Sequence, residues 1–145
     1  MSRPKPPLAS PEEIEQQFYE AMQRADIELM MSVWSDDDDI ACVHPGGGRV
    51  VGPAAIRASF EAIFGHSAVD ATPERVRRLH SHSCAIHNVV ERVRVMTDKG
   101  PQVGYAIATN VYLKTAMGWR MVVHHASPGS LEEVQDSDDS PSTLH

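Results

Sequence analysis

The residue best placed to do chemistry in this sequence is His44. It follows a short apolar run, Ile40–Val43, and precedes Pro45 and three glycines, Gly46–Gly48. A side chain at the end of a strand, beside a turn, is held in place yet remains reachable. A neutral imidazole accepts or donates a proton near pH 7 without a large pKa shift. We therefore interpret His44 as either a general acid or base or a structural histidine at a turn, and the residues leave both open.

Two polar residues in later apolar runs are further candidates. Asn110 lies within residues 103–113, and His124 lies within residues 119–127. Both runs are rich in β-branched and apolar residues, which favours strands. Side chains alternate along a strand, so Val122 and His124 share one face and Met121 and His125 share the other. One β-bulge would exchange His124 for His125.

Potential metal ligands are present, but their spacing favours other interpretations. His80, His82 and Cys84 alternate along a predicted strand and could approach zinc. Neighbours on one straight strand rarely converge on one tetrahedral ion, so we predict no metal site. The acidic run Asp36–Asp39 lacks the spacing and glycine of an EF-hand loop. It is interpreted as a solvated helix end, from which Asp38 or Asp39 could bond a cavity histidine.

The glycines and cysteines also favour structural interpretations. Gly46–Gly48 do not form a dinucleotide-binding pattern and are typical of a tight hairpin. Neither Cys42 nor Cys84 has the surroundings of a nucleophile. We predict that both are reduced thiols, and we predict no cofactor.

The secondary-structure elements that must position these residues are predicted to be helices in the first half of the chain and mainly strands in the second. Ser10 and Asp26 are predicted N-caps of two helices, the second ending near Trp34, and Pro53 begins a third that Gly65 ends. Residues 68–74 are predicted to be a loop. Four strands follow at residues 79–86, 89–96, 103–113 and 119–127, with turns at 87–88, 98–101 and 116–118. Helices followed by a strand meander indicate the α+β class, with helices on one face of a curved antiparallel sheet and a cavity between the layers.

Length and composition limit the number of domains and the classes of protein to which the chain can belong. The chain has 145 residues, which fits one domain, predicted at residues 11–128 with disordered tails at 1–10 and 129–145. The formal net charge of −7 argues against nucleic-acid binding. The longest apolar runs are too short to cross a membrane, and the N-terminus lacks the apolar region of a secretion signal. We therefore expect a cytoplasmic protein.

Four motifs in order resemble the nuclear transport factor 2-like superfamily, and its SnoaL-like members most. They are FYEAMQRADIELMMSVWSDD, HPGG, VGPAAIRASF and GWRMVVHHAS. The resemblance covers roughly residues 11–128. It implies a cone-shaped α+β domain that commonly forms a homodimer through its sheet. The superfamily includes steroid isomerases, cyclases, dehydratases and non-catalytic domains, so the resemblance alone does not define a function.

The resemblance carries over to individual residues only in part. Steroid isomerases place a catalytic aspartate before a proline, where this chain has His44. Their helix tyrosine matches Phe18, which has no hydroxyl, while Tyr19 is expected to point elsewhere. Their protonated acid should lie on the strand containing Thr109 and Asn110, where this chain has none. Isomerase activity of that kind is therefore not expected.

Two functional hypotheses follow from the resemblance. It directs Asn110 and His124 toward the cavity that holds His44. In the preferred hypothesis the cavity binds a small apolar molecule without catalysis, and the sheet forms a homodimer. In the alternative, a cofactor-independent isomerase, dehydratase or cyclase uses His44 as general acid or base. The expected apolar cavity walls are Phe18, Trp34 and Phe60.

Overall fold

The computed structural model describes residues 10–130 of the chain. The disorder that the sequence predicts for the tails falls mainly on residues 1–9 and 131–145, outside the described residues. The described part contains three helices and a six-stranded sheet. No helix within it is long and apolar enough to span a bilayer.

The helices begin where their capping residues predict. The Ser10 hydroxyl accepts a hydrogen bond from the backbone N–H of Glu13 at 3.3 Å. The Asp26 carboxylate accepts one from the backbone N–H of Leu29 at 3.0 Å. Each of these bonds satisfies one N–H that has no partner inside its helix. The helices are α1 (Pro11–Arg24), α2 (Ile27–Val33) and α3 (Pro53–His66).

The sheet is a meander extended by one hairpin. Four strands, β3 to β6, pair antiparallel in sequence order, as predicted. The hairpin β1–β2 adds to the far side of β6, and β1 runs parallel to β6, so the sheet is mixed. This parallel pairing places the strand before His44 beside His124. The strands are β1 (Ala41–Val43), β2 (Arg49–Val51), β3 (Asp70–His80), β4 (Cys84–Thr97), β5 (Gly100–Thr115) and β6 (Gly118–Gly129), in the order β2-β1-β6-β5-β4-β3.

The third and fourth strands differ from their predicted bounds. The predicted loop at residues 68–74 is wrong from Asp70 onward, because β3 begins there. Pro73 is tolerated because β3 is an edge strand, where alternate N–H groups have no partner strand to bond to. The predicted turn at residues 87–88 is also wrong. The chain turns at residues 81–83 instead, and β4 is one long strand. His80 therefore ends β3 and Cys84 begins β4, so these residues do not alternate along one strand.

A β-bulge in β6 changes the predicted side-chain parity in part. Val111 pairs with Val123, but the next residue, Tyr112, pairs with Met121, so Val122 is the extra residue. Met121 is consequently fully buried on the inner face, contrary to the prediction. His124 follows the bulge and pairs directly with Asn110.

The core lies between the helices and the concave face of the curved sheet. It contains apolar side chains from all three helices and from inward-facing sheet positions. Six polar residues are also buried, and most of them belong to two clusters described below. They are Glu15, Ser35, His87, Glu91, Asn110 and His124.

Candidate functional site

A cavity of about 180 Å³ lies between the helices and the sheet. Its walls are mainly apolar, and its three titratable groups come from the end of β1, from β4 and from β6. Such a combination of apolar walls and a few convergent polar groups is typical of small-molecule sites. The lining residues are Met22, His44, Pro45, Phe60, Ile63, Val69, Ala71, Glu91, Val93, Ala106 and His124.

His44 is fixed by its turn and by α3. The backbone N–H of Gly47 donates to the His44 carbonyl at 2.8 Å, which closes the turn. The His44 Nε2 lies 3.1 Å from the Ser59 Oγ, and that hydroxyl donates its own proton to the Ile56 carbonyl at 2.8 Å. The Cys42 Sγ lies 3.7 Å from the same nitrogen. In the tautomer in which Ser59 accepts from the His44 Nε2–H, the lone pair is on Nδ1. The ring also packs edge-on against Phe60, with centroids 4.9 Å apart.

A second histidine is held by a buried chain of hydrogen bonds. The His124 Nδ1 donates to the Asn110 Oδ1 at 2.6 Å, and the Asn110 Nδ2 donates to the Tyr19 hydroxyl at 3.1 Å. The Tyr19 hydroxyl in turn donates to the Glu91 Oε2 at 2.7 Å. Every donor in this chain has one acceptor, so the positions of its protons are defined. His124 is the tautomer with its lone pair on Nε2.

Burial sets the ionisation of these groups. Desolvation, together with repulsion from His44 and His125, lowers the pKa of His124 to about 3. Desolvation also lowers the pKa of His44. The pKa of the Glu91 carboxyl is raised by burial, although the Tyr19 hydrogen bond acts in the opposite direction. The cavity therefore contains two neutral imidazoles and a carboxyl group that resists ionisation.

The residues predicted for the site are only partly brought together. His44, Phe60 and His124 line the cavity. Phe18 and Asn110 lie behind the lining: the Phe18 ring is 4.8 Å from His124, and Asn110 is fully buried against the same histidine.

Trp34, which the sequence also placed in the cavity wall, is not among the residues that line the cavity of His44. Trp34 follows α2, bridges to Met121 and lines a different cavity with Thr115 and Arg120. Its side chain is buried in the hydrophobic core, with only 4% of the residue exposed.

Two residues of this site were missed by the sequence. Tyr19 was expected to point elsewhere, yet only 2% of it is exposed and its hydroxyl lies in the buried chain. Helix α1 sits within a concave surface, so Phe18 and Tyr19 are both buried. Glu91 lies on the strand next to the one where an acid was expected. The signal was a lone acid that shares its strand face with Val89 and Val93.

The acidic run lies away from the cavity lining, whereas the Cys42 Sγ lies 3.7 Å from the His44 Nε2. The residues Asp36–Asp39 are exposed, and Asp37 accepts a hydrogen bond from the backbone N–H of Asp39 at 2.8 Å. Within the described residues, the expected bond from Asp38 or Asp39 to a cavity histidine is not formed. Burial raises the pKa of the Cys42 thiol to about 12, so it remains protonated.

Comparison with models of protein families shows to which family this chain is related. The model of the SnoaL-like domain matches residues 12–130. The chain belongs to the SnoaL-like domain family. The resemblance carried by the four sequence motifs is thereby confirmed. A comparison of this SnoaL-like domain with curated proteins gives no match.

Solved structures similar to this SnoaL-like domain differ in their described roles. A proposed association domain of calcium/calmodulin-dependent protein kinase type II from Thiobacillus denitrificans is 35% identical, with a TM-score of 0.78 over 87% of this chain and 100% of that one. A proposed dehydratase of the nuclear transport factor 2-like family from Streptomyces avermitilis is 26% identical, with a TM-score of 0.73 over 81% of this chain and 93% of that one. A nuclear transport factor 2-like superfamily protein from Salmonella enterica is 16% identical, with a TM-score of 0.72 over 87% of this chain and 93% of that one, and shows the fold alone.

Proposed function

We propose that this SnoaL-like domain binds a small, largely apolar molecule in the cavity lined by His44, Glu91 and His124. The observation that carries the proposal is an apolar cavity into which three polar side chains, His44, Glu91 and His124, converge. Its volume of about 180 Å³ is close to that of engineered cavities of 150 Å³ that bind benzene. The ligand therefore has about the size of one substituted ring, far smaller than a steroid.

The polar groups specify what the ring should carry. Each histidine has one nitrogen that its own hydrogen bond leaves as an acceptor, Nδ1 in His44 and Nε2 in His124. A ligand hydroxyl would satisfy such an acceptor. The protonated form of Glu91 can donate to a ligand carbonyl. A monocyclic phenol, enone or aromatic aldehyde combines the required size with these groups.

The test is a thermal-shift screen of monocyclic phenols, enones, aldehydes and small carboxylates. We expect a subset to raise the melting temperature, since a ligand that binds only the folded state stabilises it. Ala106 lines the cavity, so Ala106→Leu should fill it and abolish the shift. The exposed Ala54 provides the matched control, Ala54→Leu, which should keep it. A flat screen, or equal shifts for both variants, would argue against the proposal.

Acid–base catalysis is a second candidate, favoured by His44 and Glu91 sharing one cavity. A neutral His44 can remove a proton from the carbon next to a carbonyl, and the Glu91 carboxyl can protonate a departing hydroxyl. Those two steps together eliminate water from a β-hydroxy carbonyl compound. The similar structure from Streptomyces avermitilis is described as a proposed dehydratase, which supports this reaction class.

The catalytic candidate has a separate test. His44→Ala should abolish release of water from any β-hydroxy carbonyl ligand that the screen identifies. His44 is only partly buried, so the melting temperature of the variant should stay close to that of the wild type. His66→Ala, at an exposed position on α3, serves as the control. Retained turnover in His44→Ala would refute a catalytic role, and a large loss of stability would identify a structural one.

We further propose that two copies pair through the outer face of the sheet. The similar structures include a proposed association domain and a kinase hub, and these descriptions support assembly. The outer face combines apolar side chains on neighbouring strands, among which Ile86 pairs with Val111, and Val111 with Val123. Val90 and Ile107 form another directly opposed pair on this face.

A further inference from the structure

A second polar cluster lies away from the cavity, between the start of α1 and the turn that joins β3 to β4. It consists of Glu12, His80 and His87. Among residues 10–130, these three form a group of metal-binding side chains whose donor atoms all lie within 4.8 Å of one another. His80 and His87 are brought together by the turn at residues 81–83, which the sequence pattern placed elsewhere.

We propose that Glu12, His80 and His87 bind a divalent transition-metal ion, for which zinc is the best match. Two imidazole nitrogens and one carboxylate oxygen are a donor set that zinc accepts. The site is separate from the cavity of the proposed function, since none of the three residues lines that cavity.

The distances within the cluster fit one shared ion. The His80 Nε2 lies 3.2 Å from the His87 Nε2 and 3.2 Å from the Glu12 Oε1. Zinc binds nitrogen and oxygen at about 2.0–2.2 Å, so two ligand atoms in tetrahedral coordination lie about 3.3 Å apart. Both short separations are close to that value.

His87 is supported in the way that metal-binding histidines usually are. It is fully buried, and its Nδ1 lies 3.3 Å from the Glu15 Oε1. The other oxygen of Glu15 accepts from the Arg78 guanidinium at 2.8 Å. A carboxylate that accepts from one ring nitrogen directs the lone pair of the other nitrogen toward a metal. His87 Nε2 is therefore the acceptor nitrogen, and it faces Glu12 and His80.

The Glu15 carboxylate is suited to this supporting role, because it lies between the His87 ring and the Arg78 guanidinium. A carboxylate on one side of an imidazole ring favours a cation on the opposite side.

The two imidazole rings of the cluster meet edge to edge. The rings are within 15° of parallel, and their Nε2 atoms, 3.2 Å apart, are much closer than their centroids, 5.4 Å apart. The nitrogen edges therefore face each other, and the His80 Nε2 lies equally close to the Glu12 Oε1. An ion bound here would replace these direct contacts between the side chains. The His80 side chain, which is 40% exposed, has room to turn its lone pair toward the ion. Solvent can then supply the fourth ligand as water.

The test uses the full chain, stripped of metal with a chelator. Calorimetric titration with Zn²⁺ should show one ion per chain, and Co²⁺ should give the visible absorption of a four-coordinate site. His80→Ala and Glu12→Gln should each weaken zinc binding by about tenfold or more, since each removes a ligand. The control variants His82→Ala and Cys84→Ser alter potential ligands in or beside the adjacent turn, and they should bind within twofold of the wild type.

Nitrogen-15 spectra of the histidine side chains provide a readout that does not depend on a variant's folding. Zinc should shift the Nε2 signals of His80 and His87 and leave that of His82 unchanged. The proposal is overturned if zinc shows no saturable binding. It is also overturned if binding survives in His80→Ala but is lost in His82→Ala or Cys84→Ser.

Discussion

Tyr19 joins the two ends of the buried polar chain, because its hydroxyl accepts from Asn110 and donates to Glu91. Tyr19→Phe removes both bonds and leaves two buried polar groups short of a partner. We expect the free energy of unfolding to fall by about 1–3 kcal/mol in urea denaturation. Tyr105→Phe, at a partly exposed position on β5, should change it by about 0.5 kcal/mol or less. Equal effects of the two variants would mean that the chain contributes no stability.

His124 should make stability depend on pH. The pKa of His124 is about 3 in the fold, and a histidine in the unfolded chain titrates near about 6.5. Between these values the unfolded state binds a proton that the folded state does not. The free energy of unfolding should therefore fall as pH decreases below about 6.5, by up to about 1.4 kcal/mol per pH unit. Urea denaturation from pH 7.5 to 4.5 measures this slope, and an unchanged slope in His124→Gln would contradict the assignment.

Glu91 should act in the opposite direction. Because burial raises the pKa of this carboxyl, its contribution to stability is present at low pH and is lost as pH rises through the folded-state pKa. Glu91→Gln keeps an oxygen that can accept from Tyr19 but cannot ionise. We expect the melting temperature of Glu91→Gln, relative to the wild type, to be higher at pH 8 than at pH 4. A constant difference across that range would show that Glu91 titrates as it does in the unfolded chain.

At the scale of elements, α1 is shared by both polar clusters. It supplies Tyr19 to one, and Glu12 and Glu15 to the other. Its first turn depends on the Ser10 cap, so Ser10→Ala should lower the free energy of unfolding by about 1 kcal/mol. Ser32→Ala, at an exposed serine of α2 that lies outside both clusters, is the control and should have a smaller effect. If Ser10→Ala costs no more than the control, the cap does not stabilise α1.

How well the sequence predicted a feature depends on the distance along the chain between the interacting residues. Ser10 and Asp26 were predicted as caps because their partners lie three residues away. His87 was mistaken for a turn residue because its partner Glu15 is 72 positions distant. The inward direction of Tyr19 likewise depends on how deeply α1 sits in the sheet. Local signals therefore predicted the helix starts, and the resemblance directed Asn110 and His124 inward, whereas Tyr19, Glu91 and His87 required the tertiary structure.

At the scale of the whole molecule, the outer face of the sheet is the proposed dimer contact. Light scattering should give twice the mass of one chain at micromolar concentration. Val111 lies within that face, and Val111→Arg would place a charge in the interface, so the monomer mass is expected. Met117→Arg, at a 65% exposed position in the β5–β6 turn, is the control and should leave the dimer intact. A monomer mass for the wild type would refute the proposed dimer.

A second feature at the scale of the whole molecule is the space next to the cavity. A larger groove of about 540 Å³ shares Val69 and Val93 with the cavity lining, so the two spaces adjoin. In the proposed function, this groove offers a ligand a route to Phe60 and the two histidines. The groove itself is more open to solvent and lies farther from His44 and His124.

The central claim, that the cavity binds a small molecule with a polar group, is tested most directly by a crystal structure of the protein soaked with the strongest stabiliser from the screen. We predict ring-shaped density against Phe60, with its polar atom within hydrogen-bonding distance of His44, Glu91 or His124. Density confined to the outer groove, or an occupied cavity whose ligand makes no polar contact with any of these three residues, would contradict it.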